Sequence, residues 1–128
     1  EEQARAVDPG QLAQLLESPL AQRIRQAEKV LREYRFTLLV DARRYEPAAA
    51  PEDKVLLQGV VDCCFQDQAG LHVVDFKTDR VEGEALQARA QLYRPQLTAY
   101  SEALTRVLGE TVTERVLYFL HTGQTVEL

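Results

Sequence analysis

Two apolar runs in the middle of the chain, Val55 to Phe65 and Leu71 to Lys77, are separated only by the polar stretch Gln66 to Gly70. Both are rich in residues that favour extended backbone, and a polar break of about five residues suits a hairpin loop. The pair therefore reads as a β-hairpin at the centre of the fold. Each arm also carries an acid among valines. Asp62 lies within Gly59-Val60-Val61-Asp62-Cys63-Cys64-Phe65, and Asp75 within Val73-Val74-Asp75-Phe76-Lys77. Burying an isolated carboxylate costs several kcal/mol, so an acid in such a setting has a partner or a task.

The rest of the chain arranges helices around this hairpin. Residues 1 to 10 read as a polar, frayed lead-in ending in Asp8-Pro9-Gly10. Leu12, Leu15 and Leu16 then fall at helical spacing. Ser18-Pro19 is a helix-start signal, with Ser as cap and Pro at the first helical position. Leu20, Ile24, Ala27 and Leu31 continue one helical face. From Glu33 the pattern changes to alternation, with Tyr34, Phe36, Leu38 and Val40 against Arg35 and Thr37, which predicts a strand. Residues 42 to 53 form a loop. After the hairpin, Thr78 to Gly83 is a polar loop, and Ala85, Leu86, Arg89 and Leu92 mark a short helix. Pro95 opens the next helix, whose buried stripe is Leu97, Tyr100, Leu104 and Val107, with Gly109 as its stop. Val112 to His121 and Thr125 to Leu128 make a final hairpin. The order ααβββααββ predicts a layered α/β sandwich.

Composition narrows the function classes. The 128 residues include 15 basic and 20 acidic ones, a net charge of −5, with 45% apolar and 27% charged residues. These are ordinary values for a globular chain, against disorder or collagen-like repeats. No apolar stretch approaches the roughly 20 residues needed to span a membrane, so no membrane partner is expected. The two cysteines, Cys63 and Cys64, are adjacent. They can neither staple distant segments nor supply four thiolates to a zinc or iron–sulfur site. A cytoplasmic setting is expected. The acidic balance argues against a nucleic-acid binder held by bulk charge, but not against an enzyme that grips a phosphate through metal ions. The chain begins at Glu1 and contains no Met, so it is expected to be a fragment of something longer, or a processed product.

With the turn centred near Gln68 and Ala69, Asp62 falls opposite Asp75 across the antiparallel pair, where cross-strand Cβ atoms lie about 5 Å apart. Two like charges so close repel unless a cation sits between them. Lys77, two residues after Asp75, projects from the same strand face. A hard divalent cation takes oxygen ligands. Asp62 and Asp75 supply two, and the backbone carbonyl of Phe76 a candidate third. Lys77 is then placed to hold an attacking water and to stabilise charge on a phosphate. The implied reaction is metal-assisted hydrolysis of a phosphodiester. An Asp-x-Lys triplet alone carries little weight, since average composition gives roughly 0.4 matches in a chain this long. A structural salt bridge between Asp75 and Lys77 is the default for it. The second acid at the paired position and Gly59 three residues before it raise the odds. Gln96 and Tyr100, four apart, share one helical face. They either support the site or belong to a plain helix, with Tyr100 in the core and Gln96 solvated.

Gly59-x-x-Asp62, Asp75-x-Lys77-Thr78 and Gln96-x-x-x-Tyr100 resemble the three successive motifs of RecB-type nucleases in the PD-(D/E)xK superfamily. The nearer likeness is to the C-terminal nuclease domain of AddA-type helicase–nuclease subunits. It is supported by Arg32-Glu33-Tyr34-Arg35-Phe36, Asp75-Phe76-Lys77-Thr78-Asp79-Arg80-Val81, Tyr93-Arg94-Pro95-Gln96-Leu97 and Val116-Leu117-Tyr118-Phe119, and covers about residues 18 to 122. The resemblance implies a restriction-endonuclease-like α/β core, a central mixed sheet flanked by helices. It implies one nuclease domain over residues 1–128, cut from the C-terminal part of a larger protein that processes double-strand breaks for recombinational repair. Asp62 and Asp75 become metal ligands, Lys77 the catalytic lysine, and Gln96 and Tyr100 supporting or DNA-contacting residues. The implied cofactor is Mg²⁺ or Mn²⁺, with ATP used only by the motor outside this segment. The implied partners are DNA, helicase domains in the same full-length chain and a second nuclease subunit of AddB-like type, in the cytoplasm at the nucleoid.

Two features depart from the family pattern. Phe76 stands where a Tyr is common, at a position that contributes mainly its carbonyl. RecB-type nucleases also carry a metal-binding His on a helix upstream of the first strand. His72 and His121 are the histidines of this sequence, and neither fits: His72 faces away from Asp75, and His121 ends a late strand. The family His is then expected before residue 1 of the full-length protein, and for this segment alone the departure favours the rival reading, an idle nuclease-like scaffold or docking domain. Retention of Asp62, Asp75 and Lys77 together favours the enzyme. Glu33 is read as a surface ion-pair residue rather than a site residue, and Cys63 and Cys64 as packing. Residues 22 to 44 hold seven basic and three acidic residues, which is either a DNA-facing stripe or a solvated face.

Overall fold

The computed structural model describes residues 8–128. Helices α1 (Pro9–Leu16) and α2 (Pro19–Gln26) precede the strands β1 (Lys29–Asp41), β2 (Lys54–Asp67) and β3 (Gly70–Lys77). Helices α3 (Gly83–Leu92) and α4 (Arg94–Leu108) lead to β4 (Val112–Phe119) and β5 (Gln124–Glu127). The five strands form one sheet in chain order. Every neighbouring pair is antiparallel except β3 and β4, which are parallel. A parallel pair needs a crossover, and α3 and α4 provide it. The sheet is therefore mixed and flanked by helices, as the resemblance implies.

Helices cover both faces. Leu20 and Ile24 of α2 pack on Cys63, Phe65, Val74, Val116 and Tyr118. On the other face Ala103 and Leu104 of α4 pack on Val61, Cys64 and Val73. Leu86 and Ala90 of α3 join Leu97, Leu117 and Phe119. Ser18 caps α2 by accepting from the Ala21 N–H at 3.1 Å, with Pro19 at the first helical position. Gly109 takes the left-handed conformation (φ 73°) that ends α4.

Several expected boundaries shift. Residues 1–7 of the frayed lead-in lie outside the described residues. The remainder is not frayed, because Asp8 caps α1 by accepting from the Gln11 N–H at 2.9 Å. The loop between β2 and β3 is shorter than five residues, since Asp67 already pairs with Gly70. Val107 is not in the buried stripe of α4 but 43% exposed, while Leu108 packs on the core beyond it.

The largest difference is at β1. Ala27 has extended backbone (ψ 149°) and ends α2, so Leu31 lies on a strand rather than a helix. β2 is long enough to pair β1 from Lys29 opposite Gln66 to Asp41 opposite Lys54. Each added pair satisfies backbone groups that the helix would otherwise have had to carry. The change of pattern at Glu33 is a kink within β1. Glu33 has φ 48°, an uncommon value for a residue other than Gly. Its would-be partner Asp62 is missing from the β1–β2 ladder, although Arg32–Cys63 and Tyr34–Val61 are paired on either side. Leu31 and Tyr34, three apart, consequently reach the same core cluster, as do Val61 and Cys64. Regular alternation would send such pairs to opposite faces.

Gly59 shows why a residue without a side chain stands before this kink. A Cβ there would lie 2.8 Å from the Phe36 ring and 2.9 Å from Tyr100. Gly59→Ala is expected to cost about 1–3 kcal/mol through overpacking and to displace Tyr100. A thermal melt showing no loss would contradict this close approach.

Candidate active site

The site forms where the β2–β3 ladder stops. Cys63 and Val74 are the last backbone partners. One step beyond them, Asp62 uses its side chain instead: Oδ2 accepts from the Phe76 N–H at 2.9 Å. The kink at Glu33 frees Asp62 from β1 and allows this. Asp75 stands across from it, 5% exposed. Burial, reinforced by the neighbouring Asp62 carboxylate, pushes the Asp75 carboxyl up to about 7, and Lys77 only partly opposes this. Lys77 Nζ lies 2.6 Å from Asp75 Oδ2, and both side chains are buried.

Helix α4 supplies the third side of the site. Lys77 Nζ donates to Gln96 Oε1 at 3.0 Å, and Gln96 Nε2 donates to the Tyr100 hydroxyl at 3.1 Å. The lysine, the amide and the phenol thus form one chain of hydrogen bonds, with Gln96 and Tyr100 one helical turn apart. Burial raises the Tyr100 phenol, helped by the two aspartates and opposed by Gln96, so the hydroxyl stays protonated. The plain reading of these residues is half true: Tyr100 is half-buried against the core, and Gln96 is exposed yet accepts from Lys77.

Two acids face one ammonium here, and burial first, then the Asp62 carboxylate, keep the Asp75 carboxyl raised against the opposing Lys77. The donors are oxygens, the set that suits a hard divalent cation. No group of three or more His, Cys, Asp or Glu side chains converges among the described residues. Within the described residues the further oxygen donor at this corner is backbone, and the Phe76 carbonyl is the candidate.

The remaining candidates lie elsewhere. His72 is on the opposite face, stacked on Phe65, with Nε2 2.7 Å from Asp67 Oδ1 and Nδ1 2.7 Å from Glu114 Oε1. His121 follows β4 and is half-buried. Glu33 is exposed. Burial pushes the Cys63 and Cys64 thiols up to about 11, so they pack as inert thiols. The basic stretch is broken up. Arg23 pairs with Glu114, Arg43 with Asp41 and Arg44 with Glu102, so these three do not form a free stripe. Sequence reasoning assigned Tyr93 no role beyond heading the stretch Tyr93-Arg94-Pro95-Gln96-Leu97, yet its ring centroid lies 3.9 Å from Lys77 Nζ. Its local signal was only a tyrosine three residues before Gln96.

This geometry agrees with what the chain is similar to. The model of the PD-(D/E)XK nuclease superfamily matches residues 1–127. An ATP-dependent helicase/nuclease protein of Desulforudis audaxviator is 42% identical over 123 residues, covering 94% of this chain and 10% of that protein. Its counterpart of the same name in Carboxydothermus hydrogenoformans is 36% identical over 123 residues, 95% of this chain and 10% of the relative. That of Alkaliphilus oremlandii is 36% identical over 130 residues, 100% of this chain and 11% of the relative. The chain thus spans about a tenth of the length of these relatives. With the family model matched almost from end to end and the two acids and lysine drawn together at the end of the central hairpin, the chain belongs to the PD-(D/E)XK nuclease superfamily.

Proposed function

We propose that this chain is the DNA-cleaving domain of an ATP-dependent helicase–nuclease that processes double-strand breaks for recombinational repair. The observation that carries the reading is the convergence of Asp62, Asp75 and Lys77 in one buried corner. Asp62, Asp75 and the Phe76 carbonyl would hold Mg²⁺ or Mn²⁺, which would supply activation of a water and neutralisation of phosphate charge. Lys77 holds the attacking water and stabilises the charge that builds on the phosphate oxygens. Gln96 and Tyr100 orient Lys77 through their hydrogen-bond chain. The substrate is DNA. The motor, with its ATP, occupies the helicase part of the same full-length protein, and a second nuclease chain of AddB-like type is its partner. The setting is the cytoplasm, at the nucleoid. Among the described residues no helix is long and apolar enough to cross a membrane.

Asp62→Ala, Asp75→Ala and Lys77→Ala, each made in the intact natural protein that carries this domain, are expected to lower DNA cleavage by a factor of at least about 10². ATP-driven unwinding should stay intact, because these residues touch no part of the motor. Near-normal cleavage in all three would refute the site, and would leave the idle scaffold as the better reading. Calorimetric titration with Mg²⁺ or Mn²⁺ should show binding that Asp75→Ala removes; equal binding by the parent and the variant would rule out the ligand assignment.

Asp75 also sets a pH dependence. Its folded pKa is raised from 3.8 to about 7, so the folded state favours its protonated form. That contribution is fully present below pH 4 and is lost as pH rises toward 7. Without metal, melting temperature should therefore fall over that window from this group, and added Mg²⁺ should restore it above pH 7. Asp62→Asn removes one cause of the shift while an amide oxygen still accepts from Phe76. The variant should be as stable as the parent without metal, or more so, and should gain less from Mg²⁺. A large drop in its metal-free melting temperature would mark Asp62 as a structural carboxylate.

A further inference from the structure

The Lys77 ammonium has three N–H bonds and three partners. Two are oxygens, Asp75 Oδ2 at 2.6 Å and Gln96 Oε1 at 3.0 Å. The third is the face of the Tyr93 ring, 3.9 Å from Nζ to the centroid. A π face attracts a cation without demanding a directed hydrogen bond. An N–H turned away from it breaks no hydrogen bond, whereas one withdrawn from Gln96 Oε1 does, and moving the ammonium off Asp75 Oδ2 would break a buried ion pair. The ring side of the ammonium is therefore the one that can be turned to another acceptor at least cost.

The ring is itself held. Tyr93 joins the end of α3 to the start of α4. Its hydroxyl donates to Asp79, at 2.8 Å from Oδ2 and 3.0 Å from Oδ1. Arg89 Nη1 of α3 pairs with the same Asp79 Oδ2 at 2.6 Å. Burial raises the Asp79 carboxyl, but the hydrogen bonds from Tyr93 and Arg89 outweigh it and leave the group below the usual carboxylate range. Burial raises the Tyr93 phenol, with Asp79 adding to the effect. An ionised acceptor and a protonated donor make a charge-assisted hydrogen bond. Donating to an anion also enriches the ring in electron density and strengthens its attraction for the ammonium. Asp79 lies two residues beyond Lys77, so the latch starts beside the lysine it serves.

We propose that Tyr93 is a positioning residue for cleavage: its ring, latched by Asp79 and Arg89, holds the Lys77 ammonium in place while leaving one N–H free to turn to the reacting water or phosphate oxygen. This rests on the role given to Lys77 above. It also assigns the loop after β3 and the α3–α4 junction a task in the site.

Volume and electronics separate this from a packing role. In the intact natural protein, Tyr93 is replaced by Phe and by Phe carrying one, two and three ring fluorines, alongside Tyr93→Leu and Lys77→Ala. Cleavage is read as kcat and KM on a DNA duplex, with unwinding and melting temperature as controls. Across the fluorinated series, whose members differ little in size, log kcat should fall stepwise as the ring loses electron density, with KM unchanged. Tyr93→Leu should lose about tenfold in kcat. The series remains decisive if Tyr93→Leu does not fold. A flat kcat across the series, with Lys77→Ala inactive, would overturn the role of Tyr93 alone. Full activity in Lys77→Ala would overturn the reading beneath it as well.

Discussion

Two carboxylates brought face to face, Asp75 buried and Asp62 half-buried, with one ammonium between them and the helix, are what the surrounding elements must accommodate. Asp75 is almost fully buried, and its repulsion from Asp62 is only partly offset by Lys77. A low-dielectric setting makes such repulsion strong. The fold tolerates it because other elements hold the groups in place. The Phe76 N–H fixes Asp62, the apolar strands on either side fix the register, and Gln96 fixes the lysine. The raised Asp75 carboxyl is the mark of this arrangement: burial first, and the Asp62 carboxylate second, outweigh the single ammonium beside it.

The kink at Glu33 contributes to the same end. A strained backbone at a non-glycine residue costs about 1–3 kcal/mol and persists only if its surroundings impose it. Here it interrupts the β1–β2 ladder opposite Asp62 and releases that residue to serve the neighbouring strand. On the other face, His72 between Asp67 and Glu114, with Arg23 over Phe65, ties α2 to β4 and the hairpin turn. The two faces of the sheet therefore carry separate polar networks, one structural and one at the site.

Much of this was legible in the residues. The hairpin register could be read because valine-rich arms flank a short polar turn, and a side-chain period of two leaves little freedom once one face is apolar. That register alone placed Asp62 against Asp75 and put Lys77 beside them. The start of β1 was hidden because Leu20, Ile24, Ala27 and Leu31 keep helical spacing by coincidence: the last of them belongs to a strand whose length depends on its distant partner β2. The kink hid it further, since a break in alternation looks like the edge of an element. Tyr93 was illegible for another reason. A cation over a ring is a tertiary contact between a strand end and a helix junction, and no spacing along the chain announces it.

The sheet order has a consequence for how the site comes together. β1, β2 and β3 form an uninterrupted meander, and both acids and the lysine lie between positions 62 and 77 of the chain. Their meeting needs only contacts of short sequence separation, which form with little loss of loop entropy. Tyr93, Gln96 and Tyr100 arrive by the longer excursion through α3 and α4. The reactive groups and their restraints are thus carried on separable pieces of chain. Insertions in the crossover loops could lengthen or reshape the excursion without shifting the two acids against each other, because the contacts that bring the acids together lie within the meander.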